Sequence, residues 1–93
     1  MNNQLLEKKE RFELRGSGET KQEAVERAFV ELRSLVVKKI EDPIVHMIPN
    51  QAEVKELRVD ETTEAFLFVF MKRIKRRYHV VLDVEVLIKY ITL

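Results

Sequence analysis

Apolar and polar positions alternate along ERFELRGSGE, residues 10–19. Phe12 and Leu14 fall on one side and Arg11, Glu13 and Arg15 on the other, which predicts a half-buried strand ended by Gly16-Ser17-Gly18. The period then changes to that of a helix. Ala24, Val25, Ala28, Phe29, Leu32, Leu35, Val36 and Ile40 recur at helical spacing and form one apolar stripe. Thr20 and Glu23 make a capping box, each side chain satisfying a backbone N–H left free at the helix start. Lys38 and Lys39 stand in the last turns, where cations suit the dipole, and Pro43 stops the element. One long helix of about 30 Å is predicted.

Beyond it, IVHMIPNQAEVKELRVDETTE, residues 44–64, keeps no clean period. Ile44 to Ile48 suits a short strand broken by Pro49-Asn50. Val54, Leu57 and Val59 depart from strict alternation, which predicts an irregular, bulged strand. The rest, EAFLFVFMKRIKRRYHVVLDVEVLIKYITL, residues 64–93, predicts a long β-hairpin rich in β-branched and aromatic residues. Its second strand carries Tyr78, Val80, Leu82, Val84, Val86, Ile88 and Tyr90 on one face. His79, Val81, Asp83, Glu85, Leu87, Lys89 and Ile91 share the other. The chain order is therefore β-α-β-β. The expected fold is a single α+β domain spanning residues 1–93, with one long helix packed on a curved antiparallel sheet of three to four strands.

One helix covers one face of such a sheet. Yet AFLFVFM, residues 65–71, is apolar on both faces, where a sheet with one wet face alternates. Three phenylalanines bury roughly 150–250 Å² each. At about 25 cal/mol per Å², leaving Phe66, Phe68 and Phe70 in water forgoes on the order of 10 kcal/mol. That rivals the whole stability of a small domain. Phe66, Phe68 and Phe70 are thus the expected contact of a homo-oligomer, the other possibility being that residues 44–60 fold over them.

Composition narrows the functional classes. The chain has 93 residues, a net charge of +1 and no cysteine, which removes disulfides, thiolate catalysis and cysteine-based zinc sites. The amino terminus lacks the apolar core of a signal peptide, and no apolar run approaches the roughly 20 residues that span a bilayer. A soluble, cytoplasmic protein is expected. Charge is uneven: residues 1–63 hold 11 Lys+Arg against 13 Asp+Glu, and residues 64–93 hold 6 against 3. Five of those six crowd into residues 72–77 as Lys72, Arg73, Lys75, Arg76 and Arg77, between the expected hairpin strands. Such a cluster serves as a solvated hairpin tip, as a phosphate-binding site, or as a dock for acidic protein surface. Arg73, Lys75, Arg76 and Arg77 are the candidate anion ligands. Specific nucleic-acid binding is not expected, because aromatic–basic interleaving and known nucleic-acid-binding motifs are missing.

GSGET at the helix start offers free N–H groups to an anion, but the backbone freedom of its two glycines explains it as a strand-to-helix turn. His79 and Asp83 share a strand face about 13 Å apart, beyond hydrogen-bond reach. Asp83 and Glu85, roughly 7 Å apart, could hold a cation or sit at a wet rim. No nucleophile–base constellation appears, so no enzyme activity, cofactor or metal is expected.

GSGETKQEAVERAF followed by EAFLFVFMKRIKRRYHVVLDVEVLI resembles a small family of conserved hypothetical bacterial proteins, the domain of unknown function DUF4312. Gly16, Gly18, Thr20, Lys21 and Gln22 match its turn-to-helix start. Phe66, Leu67, Phe68, Phe70, Arg73, Arg76, Tyr78, Val80, Leu82, Val84 and Val86 match its strand, basic turn and second strand. The resemblance implies a soluble accessory or structural component beside a membrane protein partner, and implies no activity. The element order is also similar to that of dodecins, flavin-binding shells whose flavin stacks on tryptophan. This chain has no tryptophan, so the dodecin likeness implies self-assembly and, as an alternative function, a small-ligand or anion-binding oligomer.

Overall fold

The computed structural model describes the backbone at residues 4–66 and 71–93 and the side chains at 5–63 and 74–93. Five elements follow one another: strand β1 (Gln4–Gly18), helices α1 (Lys21–Val30) and α2 (Leu32–Lys39), and strands β2 (Ile44–Phe66) and β3 (Met71–Thr92). The fold is α+β, with one three-stranded antiparallel sheet in the order β1-β3-β2. The last strand is therefore central, and both others are edges.

The helical layer starts as its sequence dictates. Thr20 Oγ1 accepts the Glu23 N–H at 3.0 Å. The Glu23 carboxylate pairs with Arg27 one turn on. The layer is not one unbroken helix: it is interrupted at Glu31 and resumes with the Leu35 N–H donating to the Glu31 carbonyl. The apolar stripe hides this break. Ala24, Ala28, Leu32, Val36 and Ile40 are all buried, so the four-residue spacing runs straight through the interruption.

The stripe packs on Phe12 and Leu14 of β1 and on Val80, Leu82, Val84, Val86 and Ile88 of β3. That is the apolar face expected of β3. At one end, Glu10 holds Lys39 at 2.9 Å and Lys8 at 3.3 Å. The hydrogen bond from Lys39, then that from Lys8, lowers the Glu10 pKa below the ordinary carboxylate value.

β2 is the irregular, bulged strand expected, but it is not broken at Pro49-Asn50 and is longer than expected. It runs unbroken for 23 residues, and the irregular pattern of residues 44–60 comes from bulges. The register against β3 shifts between Ile44 and His46, Pro49 and Gln51, and Val54 and Glu56. Val45, Asn50 and Lys55 are thus left without partners, at five-residue intervals. Each extra residue restores the alternation that the sequence lacks. Ile44, Met47, Pro49, Ala52, Val54, Leu57 and Val59 all oppose helix-side residues of β3. Even so, among the described residues β2 adds none to the buried core. The helical layer covers β1 and β3, so Val54, Leu57 and Val59 stay exposed on the helix side.

The basic run is placed differently from expectation. It lies inside β3, not between strands: in the backbone register Arg77 lies opposite Asp60, Arg76 opposite Glu61 and Arg73 opposite Glu64. The acidic stretch VDETTE lies beside it, which offsets its charge. The side chain of Phe66, and Phe68 and Phe70 entirely, lie outside the described residues.

β1 ends opposite Tyr78, so among the described residues Met71–Arg77 pairs with β2 alone. This two-stranded arm is seven residues long on β3, roughly 24 Å. It accounts for extents of 74 × 22 × 16 Å and a radius of gyration of 19.1 Å, against about 12 Å for a compact chain of this length. Among the described residues no helix is long and apolar enough to cross a membrane.

Candidate functional site

Where the arm leaves the body, three strands meet at His79. Its partner on β1 is Ser17 and its partner on β2 is Arg58. Strand alternation puts all three on the sheet face away from the helices. His79 Nδ1 lies 2.8 Å from Ser17 Oγ, and Nε2 lies 2.9 Å from Asp60 Oδ2. The tautomer with its proton on Nε2 satisfies both contacts, donating to Asp60 and accepting from the Ser17 hydroxyl. Asp60 Oδ1 also lies 3.5 Å from Arg58 Nε.

This row floors an open cleft of about 450 Å³. Arg15, Arg58 and Arg77 surround His79, and Arg27 and Glu31 complete the lining from the end of α1, with Glu56 on β2. Arg27 anchors itself by donating to the Ser17 carbonyl at 3.2 Å. Arg15 pairs loosely with Glu13 at 3.3 Å. Arg77 makes no hydrogen bond or ion pair among the described residues. Three of these arginines have carboxylate partners, Arg15 with Glu13, Arg27 with Glu23 and Arg58 with Asp60, and Glu31 and Glu56 also border the cleft.

Of the four candidate anion ligands, the cleft gathers only Arg77. The reason is the two-residue period of a strand. Arg77 and Lys75 share the cleft's face of β3, whereas Arg76 points to the helix side and bonds Glu61 at 2.9 Å. That bond raises the Arg76 pKa. Lys75 and Arg76 border a smaller hollow of about 230 Å³ with Glu19, Ile74 and Tyr78. The backbone of Arg73 lies opposite Glu64, and its side chain falls outside the described residues.

Sequence reasoning missed Ser17, Asp60, Arg15, Arg27 and Arg58. They converge only through register, and the bulges of β2 hide that register from a count of alternating positions. The Ser17–His79–Asp60 chain was likewise not foreseen. It has the residue types of a nucleophilic triad, but Asp60 is half exposed and the cleft is open to water. In such triads the carboxylate is buried behind the histidine. Here it ties β1 and β2 to β3 and orients the Ser17 hydroxyl.

The other readings resolve locally. Asp83 accepts from Arg11 at 2.9 Å and Glu85 from Asn50 at 3.0 Å, so each carboxylate has its own cross-strand partner. No group of three metal-ligating side chains occurs among the described residues. The glycines of GSGET serve close packing rather than a turn. A Cβ on Gly16 would meet the Ala24 carbonyl oxygen at 2.0 Å and the Ala28 nitrogen at 2.5 Å.

Fold and site together define a small α+β protein whose helical layer shelters two of three antiparallel strands, with an arginine-lined cleft on the open face. The chain belongs to the family of the domain of unknown function DUF4312, whose model matches residues 8–91. No curated protein and no solved structure matches the chain, so the likeness to dodecins gains no support from a known fold.

Proposed function

We propose that the protein is a structural, non-catalytic building block that assembles with further copies of itself through its arm. The observation that carries this is the open edge of β3 at residues 71–77, where β1 has already ended. An isolated two-stranded ribbon is marginal in water. A third strand would stabilise it, and the outer edge of β2 in a second copy is suited to supply one. Residues 56–66 of β2 pair without a bulge, whereas all three bulges lie in residues 44–56. Bulges discourage edge pairing, so the regular part of this edge is the part left receptive. Charge favours the same match. Asp60, Glu61 and Glu64 of one copy would lie beside Lys72, Arg73, Lys75, Arg76 and Arg77 of the next, while two basic edges would repel each other.

Joining unlike edges is a head-to-tail contact, which closes into a ring or continues as a chain. It would also continue the exposed apolar row of Leu57, Val59 and Ile74 from one copy into the next. Light scattering at two concentrations tests the proposal. Particles several times 11.1 kDa are expected, reverting to single chains in Leu57→Lys/Val59→Lys with unchanged circular dichroism. A wild-type mass of one chain at both concentrations refutes it.

A further inference from the structure

We propose that the cleft around His79 is a binding site for a small phosphorylated molecule, gripped by Arg58 and Arg77 with the Ser17 hydroxyl at its floor. The lining residues all come from one chain. Because the proposed assembly would bring a second copy's acidic edge beside Arg77, binding is measured in protein dilute enough to be single chains.

Its position follows from strand geometry. Neighbouring strands stand about 4.8 Å apart, and same-face residues on one strand about 6.8 Å apart. Arg58 is therefore one strand from His79, and Arg77 is one same-face step along β3. Arg15 stands in the same relation to Ser17 on β1. Arg58 and Arg77 thus flank His79, and a planar guanidinium binds the oxygens of a phosphate through paired N–H donors.

The arginines are also available. Arg77 has no partner among the described residues, and the pairs of Arg15 and Arg58 are long, at 3.3 and 3.5 Å, and solvent-exposed. Exposed pairs of this kind are worth little, so exchanging them for a ligand's phosphate costs little. The cleft is of the size that holds a small molecule rather than a bare ion. Its lining is mainly charged, which selects a polar ligand such as a sugar phosphate over an apolar one. Ser17 adds a neutral contact. While His79 accepts its proton, the hydroxyl oxygen keeps a lone pair for a hydroxyl donor on the ligand.

Calorimetric titration of the full chain with pyrophosphate and with glucose 6-phosphate tests this, using sodium sulfate as the competing anion. Saturable one-to-one binding of at least one phosphate probe is expected, weakened about tenfold by Arg58→Gln and again by Arg77→Gln. Both side chains are exposed, so both variants should fold, which circular dichroism checks. Arg33→Gln, on α2 outside the cleft, should leave binding unchanged. Equal weakening in Arg33→Gln, unchanged affinity in the double variant, or equal affinity for sulfate would each overturn the proposal. So would binding only to vesicles of anionic phospholipid, with no response to either soluble probe.

Discussion

Gly16 shows how one missing side chain positions the site. β1 passes under α1 so closely that a methyl group there would overlap the backbone of both Ala24 and Ala28. Backbone atoms cannot turn aside as a side chain does, so the helix would have to lift. Gly16→Ala is expected to cost about 3 kcal/mol and to lower the melting temperature by roughly 10–20 °C. Gly18→Ala should also destabilise, though less, because a Cβ there would meet the Cβ and Cγ of Glu23 at 2.8 Å and the Ala24 nitrogen at 2.9 Å, against 2.0 Å at Gly16. Thermal unfolding of the two variants separates these cases. The sequence marked both glycines as special but suggested the wrong reason, backbone freedom in a turn. What they permit is close approach, and that depends on a helix whose distance from the strand no local pattern encodes. Ser17 sits between them, so the packing that fixes Gly16 and Gly18 also fixes the hydroxyl at the floor of the cleft.

Among the elements, those with a single period were legible. The helix start at Thr20, its buried stripe, and the core face of β3 from Val80 to Ile88 all follow from spacing. The break at Glu31 was invisible because the stripe crosses it. β2 was legible as an irregular, bulged strand, but neither the places of its bulges nor its full length could be read, since a bulge changes the period without changing the strand. This makes Asn50 a sharp test. Its side chain gives one exposed hydrogen bond to Glu85, so Asn50→Ala should change stability by less than about 0.5 kcal/mol. Deleting Asn50 removes a bulge instead. The residues before it must then slip by one, turning Ile44 and Met47 from the helix side to the open face. The expected result is a loss of roughly 2–3 kcal/mol in urea unfolding, from exposing two half-buried apolar side chains and straining the 40–43 connection. Comparable midpoints for the deletion and the alanine variant would mean that β2 re-forms its register freely.

The whole molecule has a compact body and an arm with very different support. In the body β3 is flanked by two strands and roofed by helices, and its residues from Val80 to Ile88 alternate between buried and half-buried. In the arm it has one neighbour, and Ile74, Lys75, Arg76 and Arg77 are all exposed. Ion pairing such as Arg76–Glu61 adds little at an exposed site. A ribbon held by so few contacts opens on its own, without the body unfolding. Amide hydrogen exchange should read this directly. In dilute protein, backbone amides of residues 72–77 are expected to exchange about 100-fold faster than those of residues 80–88, a gap of roughly 2.7 kcal/mol in opening free energy. Raising the concentration should slow exchange in the arm alone, because a strand from a second copy would cover its open edge while the body is already protected. Body-like protection of residues 72–77 at a concentration where the particle weighs one chain would mean that the ribbon sustains itself. The open edge of β3 would then no longer call for a partner.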